Sequence, residues 1–98
     1  MNEISMINAE KLGKQTLLFQ TMEECGELVK AISKYNRCNG IGQKTEVNLG
    51  QAFGGMVNEI ADIEICLEQL KYLMGIEEVV EEAKDVAFKK VAKRYEQD

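Results

Sequence analysis

Two short acidic patterns carry the residue types best suited to chemistry in this chain: Glu23-Glu24-Cys25-Gly26-Glu27 and Glu59-Ile60-Ala61-Asp62. Residues three apart share one side of a helix, so Glu24 pairs with Glu27 and Glu59 with Asp62. Each pair can offer two carboxylates to a single point. Most such pairs in a helical protein are solvated surface acids, but the helical wheel argues otherwise here. At about 100° per residue, Glu64, Glu68 and Lys71 define a wet face, and Glu59 and Asp62 point nearly opposite, along the stripe of Cys66, Leu70 and Leu73. In the earlier segment Gln15, Glu23, Lys30, Ser33 and Arg37 mark the wet side. Glu24 belongs to the series Leu17, Thr21, Leu28, Ala31 and Tyr35, and Glu27 lies at the boundary between Gln20 and Lys34.

Placing several carboxylates inward costs desolvation and mutual repulsion. No His, Lys or Arg on either inward stripe offsets them, and a hard cation does so economically. All-oxygen ligation suits Mg²⁺, Mn²⁺ or Ca²⁺. There is no D-x-[DN]-x-[DN]-G loop for an EF-hand. A di-iron bundle needs Glu-x-x-His on two helices, and the chain contains no histidine. The chemistry expected of this set runs on carboxylates, a metal such as Mg²⁺ (or Mn²⁺) and water.

Helices must position these acids. Ile4 to Leu12 reads as a short first helix closed by Gly13. A second runs from about Lys14 to Arg37, with Leu18, Met22, Cys25, Val29 and Ile32 recurring at helical steps. Residues 38–50 are rich in breakers and read as a loop. A third helix starts near Asn48, where Asn48 and Gln51 resemble a capping box, although Gly54-Gly55 blurs that start; it stops at Gly75. The fourth, from Ile76 to about Glu96, opens on Glu77 and Glu78 and closes on Lys89, Lys90, Lys93 and Arg94, the order the helix dipole favours. The fold class expected is all-α: an antiparallel bundle of three main helices plus a short N-terminal one, in a single domain over residues 1–98. Apolar residues surround much of the third helix (Ile60, Ile63, Ile65, Leu67, Leu70, Tyr72, Leu73), so a second chain is expected to pack there, as a homodimer or homotetramer.

Composition agrees with this class and excludes others. The 98 residues include no Pro and no Trp, and the abundance of Glu, Lys, Ala and Leu favours helix. Seventeen acids against twelve Lys and Arg give a net charge of −5, which argues against a nucleic-acid polymer as partner. No apolar run approaches the roughly 20 residues that span a bilayer. The first residues lack the basic start and apolar stretch of a secretory signal. The three cysteines, Cys25, Cys38 and Cys66, show no CxxC spacing, so buried thiols in a reducing, cytoplasmic setting are expected.

Read together, EExxE followed by ExxD on two antiparallel helices resembles the MazG-type nucleoside triphosphate pyrophosphohydrolases. These belong to the all-α superfamily that also holds the dimeric dUTPases and phosphoribosyl-ATP pyrophosphohydrolase. The resemblance covers roughly Gln15 to Gly75 and extends to Leu28-Val29-Lys30-Ala31 and to Glu59-Ile60-Ala61-Asp62-Ile63-Glu64-Ile65. It implies Mg²⁺ ligation by Glu24, Glu27, Glu59 and Asp62, with Glu23 orienting or deprotonating the attacking water. It further implies Mg²⁺-dependent hydrolysis of a (d)NTP to the monophosphate and pyrophosphate. Lys90 and Arg94 stand where the family carries basic phosphate contacts, and Lys30, Lys34 and Gln20 are further candidates for the substrate. The stretch between Glu27 and Glu59 is long for the family, so the choice of base and sugar is not inherited. The alternative is a non-catalytic helical interaction module that retains the acidic site.

Overall fold

The computed structural model describes residues 1–42 and 48–97. Among them are four helices and no strand: α1 Glu3–Leu12, α2 Lys14–Cys38, α3 Leu49–Met74 and α4 Glu77–Gln97. The protein is therefore all-helical, as its composition indicates. None of these helices is long and apolar enough to cross a membrane.

Local chemistry sets the boundaries. The Asn2 side chain accepts a hydrogen bond from the Ser5 N–H at 2.8 Å, and Asn48 accepts from the Gln51 N–H at 2.8 Å. Each satisfies one of the free donors at a helix start. Gly13, at φ +84°, separates α1 from α2, and Gly75, at φ +65°, ends α3 in the left-handed region that glycine enters without strain. α2 runs one residue further than expected, to Cys38, before the turn through Gly40 and Gly42. α3 starts at the Asn48 cap, as expected, and continues through Gly54 and Gly55 unbroken. A helical glycine costs only about 0.5–1 kcal/mol, and packing around this stretch outweighs it: Ala52 is buried and the Phe53 ring lies 6.2 Å from that of Tyr35. Residues 43–47 of the expected loop lie outside the described residues.

α2 and α3 form the main pair. Tyr35 meets Phe53 and Glu24 meets Glu59 and Asp62, an order that makes the two helices antiparallel. α1 lies against both. Its Ser5 carbonyl accepts a 3.2 Å hydrogen bond from the buried Gln69, and its Glu10 carboxylate accepts one of 2.6 Å from the Tyr72 hydroxyl. Among the described residues the buried apolar core is small, consisting of Ala9, Leu17, Ala52 and Ile63. On α2 the face against the neighbours is Leu17, Thr21, Glu24, Leu28, Ala31 and Tyr35, all buried or half-buried. The apolar stripe that marks the helix in the sequence is largely free: Met22 and Val29 are 68% and 67% exposed, and Cys25 is exposed rather than buried.

α4 departs most from a closed bundle. Among the described residues it touches only α3. Ile76 and Val80 are half-buried at its root, and every side chain from Glu81 to Glu96 is exposed. The chain has a radius of gyration of 17.1 Å, against about 13 Å for a compact domain of this length. Its accessible surface is 7623 Å², where a folded monomer of this mass exposes about 5,700 Å².

Candidate metal centre

The antiparallel pairing of α2 and α3 sets Glu24 opposite the turn that carries Glu59 and Asp62. One carboxylate oxygen from each of Glu24, Glu59 and Asp62 lies within 4.8 Å of the other two. Glu24 and Glu59 are half-buried and Asp62 is exposed. The helix pair thus brings together three of the four acids singled out by spacing. Asp62 faces the group from its open side instead of lying inward.

The electrostatics show how ill-matched this set is without a counter-charge. The Glu24 carboxyl is held above the ordinary range for Glu. Partial desolvation is the largest cause, followed by a hydrogen bond with Glu59 and the negative charges of Glu59, Asp62 and Glu27. Glu24 and Glu59 can share a hydrogen bond only if one of them carries a proton. Glu59 Oε2 is buried and has no hydrogen-bond partner, a costly state for a carboxylate oxygen. The neighbouring Cys66 thiol is pushed up by burial first, and then by Glu24, Asp62 and Cys25. An orphaned oxygen, three convergent hard donors and a concentrated negative field fit a small divalent cation.

Glu27 sits at the rim. It is exposed and pairs with Lys30 at 3.6 Å, one turn along α2. An exposed pair of this spacing is worth about 0.3–0.5 kcal/mol, too little to keep Glu27 from turning toward a bound cation. Glu23 is exposed and stands outside the three-carboxylate group. Gln20, half-buried, lies one turn before Glu24.

A cleft of about 350 Å³ opens beside the acids, lined by Glu27, Lys30, Ala31, Lys34, Gln51, Ala52, Gly55 and Glu59. Two lysines line one cleft with two of the acids, which is the charge arrangement a metal-bound polyphosphate needs. Lys90 and Arg94 are not part of it: both lie exposed on α4, which makes no contact with α2 among the described residues. The wall formed by Gln51, Ala52 and Gly55 escapes a reading that treats Gly54-Gly55 as a breaker. The signal for it is register, since Gly55 precedes Glu59 by four residues and so shares its face. A side chain built at Gly55 would meet no atom within 4 Å and would project into open space.

Comparison with models of known protein families, with curated proteins and with solved structures finds no match.

Proposed function

We propose that the chain is a Mg²⁺-dependent nucleoside triphosphate pyrophosphohydrolase, cleaving a (d)NTP to its monophosphate and pyrophosphate. The observation that carries this reading is the juxtaposition of Glu24, Glu59 and Asp62, within 4.8 Å of one another, with a cleft that bears Lys30 and Lys34. The resemblance of the two acidic motifs to the MazG-type enzymes supplies the reaction. Glu24, Glu59 and Asp62 would hold the cation, with Glu27 joining them from the rim; Mn²⁺ suits the same donors. When bound, such an ion offsets the charge developing on phosphate oxygens and lowers the pKa of a bound water.

The chain's own residues do the rest. Lys30 and Lys34, one turn apart on α2, neutralise the β- and γ-phosphates in the cleft and hold the triphosphate in line. A water attacks the α-phosphorus, the α–β bridging oxygen leaves with the pyrophosphate, and the water's proton passes to a carboxylate. Glu23 and Glu27 stand four apart on one exposed edge of α2, which gives that proton a place to go. Lys90 and Arg94 of the same chain are left out of this reading by their position on α4. The surface left open by one chain supports assembly into a homodimer or larger oligomer.

The test is to incubate the purified protein with the common ribo- and deoxyribonucleoside triphosphates and millimolar Mg²⁺, following pyrophosphate and monophosphate. One-to-one release of the two from at least one substrate is expected. If no nucleotide is cleaved while Mg²⁺ still raises the melting temperature, the chain is a non-catalytic module with a structural cation.

A further inference from the structure

We propose that the cleft continues past Lys34 into a further phosphate subsite built on Arg37, which takes the fourth phosphate of a nucleoside tetraphosphate. The reaction rests on the hydrolase reading above; the subsite rests on the geometry of α2. Lys30, Lys34 and Arg37 follow one another at four- and three-residue steps, so they share one side of the helix. They span about 10.5 Å of its axis at 1.5 Å per residue. No acid stands between Glu27 and Arg37 on α2. A hollow of about 330 Å³ is lined by Val29, Lys30, Ser33, Lys34 and Arg37. It shares both lysines with the cleft beside the acids, so the cationic path runs on from one to the other.

The fold does not account for Arg37. A basic residue in the last turn suits the helix dipole, but that role needs no burial. Arg37 is half-buried, and its Nε is buried with no hydrogen-bond partner. Among the described residues it joins no ion pair. A guanidinium nitrogen shut away from water without an acceptor is costly. A phosphate oxygen is an acceptor that its planar fork fits well. Ser33, one turn before Arg37 and lining the same hollow, adds a hydroxyl donor. Continuity with a cleft suited to polyphosphate favours phosphate over an isolated carboxylate as the occupant.

The order of residues along α2 sets the direction of the chain of phosphates. The acids come first, then Lys30, Lys34 and Arg37. With the α-phosphorus at the acids and the β- and γ-phosphates at the two lysines, the next position belongs to a fourth phosphate. Water then forms the new bond to the α-phosphorus and passes its proton to a carboxylate. The α–β bridging oxygen leaves with tripolyphosphate, and no further reactant is needed.

The experiment measures binding of inorganic pyrophosphate and inorganic tripolyphosphate to the full chain with Mg²⁺, by calorimetry, and then turnover of a nucleoside 5′-tetraphosphate. Tripolyphosphate should bind the parent about tenfold more tightly than pyrophosphate, the scale of one charge-assisted hydrogen bond. Arg37→Met should erase that gain while keeping the Mg²⁺-induced rise in Tm, which shows that the variant is folded. R37K keeps the charge and should recover most of the gain. Lys89→Met, which removes an exposed charge on α4, should leave the gain in place. Equal binding of the two anions by the parent overturns the subsite, as does a gain that survives in R37M or disappears in K89M. If the gain is present and R37M loses it, but no nucleotide is cleaved, the subsite stands and the hydrolase reading fails. If nucleoside triphosphates are cleaved and the tetraphosphate is not, the hydrolase reading stands and the tetraphosphate is overturned as substrate.

Discussion

Replacing Glu59 by Gln removes one charge from the acidic cluster and keeps the shape of the side chain. The three carboxylates lie within 4.8 Å of one another. At that separation one pair of unit charges repels by about 0.9 kcal/mol in water and about 3.5 kcal/mol at an effective dielectric of 20. Because Asp62 is exposed and Glu24 and Glu59 are only half-buried, the wet limit governs. The new amide also gives a donor to the buried side-chain position that has no partner. The metal-free variant should therefore be more stable than the parent by about 1 kcal/mol, a rise in Tm of about 4–8 °C for a domain of this size. With Mg²⁺ at a hundred times its Kd, the parent gains about 2.7 kcal/mol and the variant far less, so the order reverses. Paired thermal melts with EDTA and with Mg²⁺, at one fixed protein concentration, read both effects. The same melts carry a pH signature. The folded Glu24 carboxyl binds its proton more readily than the unfolded one, so its contribution makes the metal-free parent lose stability as pH rises above the ordinary Glu range near 4.5. E59Q removes two of the named causes of that shift and should flatten the dependence. If E59Q lowers the metal-free Tm, or if Mg²⁺ raises both proteins equally, Glu59 is not a ligand.

Asp62→Asn should abolish pyrophosphate release while leaving the metal-free Tm equal to or slightly above the parent's, since Asp62 is exposed; an active D62N variant would contradict its place among the ligands. Gly54→Ala should raise stability by about 0.5–1 kcal/mol, because it is helical and a Cβ there meets nothing within 4 Å; chemical denaturation checks this. Gly55→Leu should likewise fold well and keep the Mg²⁺-induced shift in Tm, yet raise KM for the nucleotide severalfold by filling the cleft, and unchanged kinetics would detach the cleft from the substrate. Lys30→Met and Lys34→Met should each lower kcat/KM about tenfold or more, the scale of one lost charge-assisted contact, without altering Mg²⁺ binding.

The sequence made the helices legible because each boundary has a local cause. Gly13 and Gly75 take positive φ, Asn48 caps α3, and three- and four-residue spacing marks the long segments. Motif spacing placed Glu24, Glu59 and Asp62 together because carboxylates three apart on one helix must meet whatever packs against that turn. On α2 the stripe through Met22, Cys25, Val29 and Ile32 repeats at helical steps and is the more apolar, yet the face against α3 is the series with Thr21, Glu24 and Ala31, the one that the helical wheel sets away from the wet side. Polar and small residues there leave room for the acids, and the greasier face stays open. Gly54 and Gly55 of α3 blurred its start in the sequence because propensity marks them as breakers, whereas the packing of Ala52 and the Asn48 cap carry the helix through them. The stance of α4 was not readable either, because a single chain's hydrophobic pattern does not say which apolar face its own helices cover.

Hydrolysis in ¹⁸O-labelled water with Mg²⁺, read by ³¹P NMR and mass spectrometry, tests the central claim most directly. Attack of water at the α-phosphorus predicts one labelled oxygen in the nucleoside monophosphate, none in the pyrophosphate, and no product of either kind from Glu59→Gln. Label in the pyrophosphate, release of orthophosphate in its place, or full turnover by the variant would contradict the account.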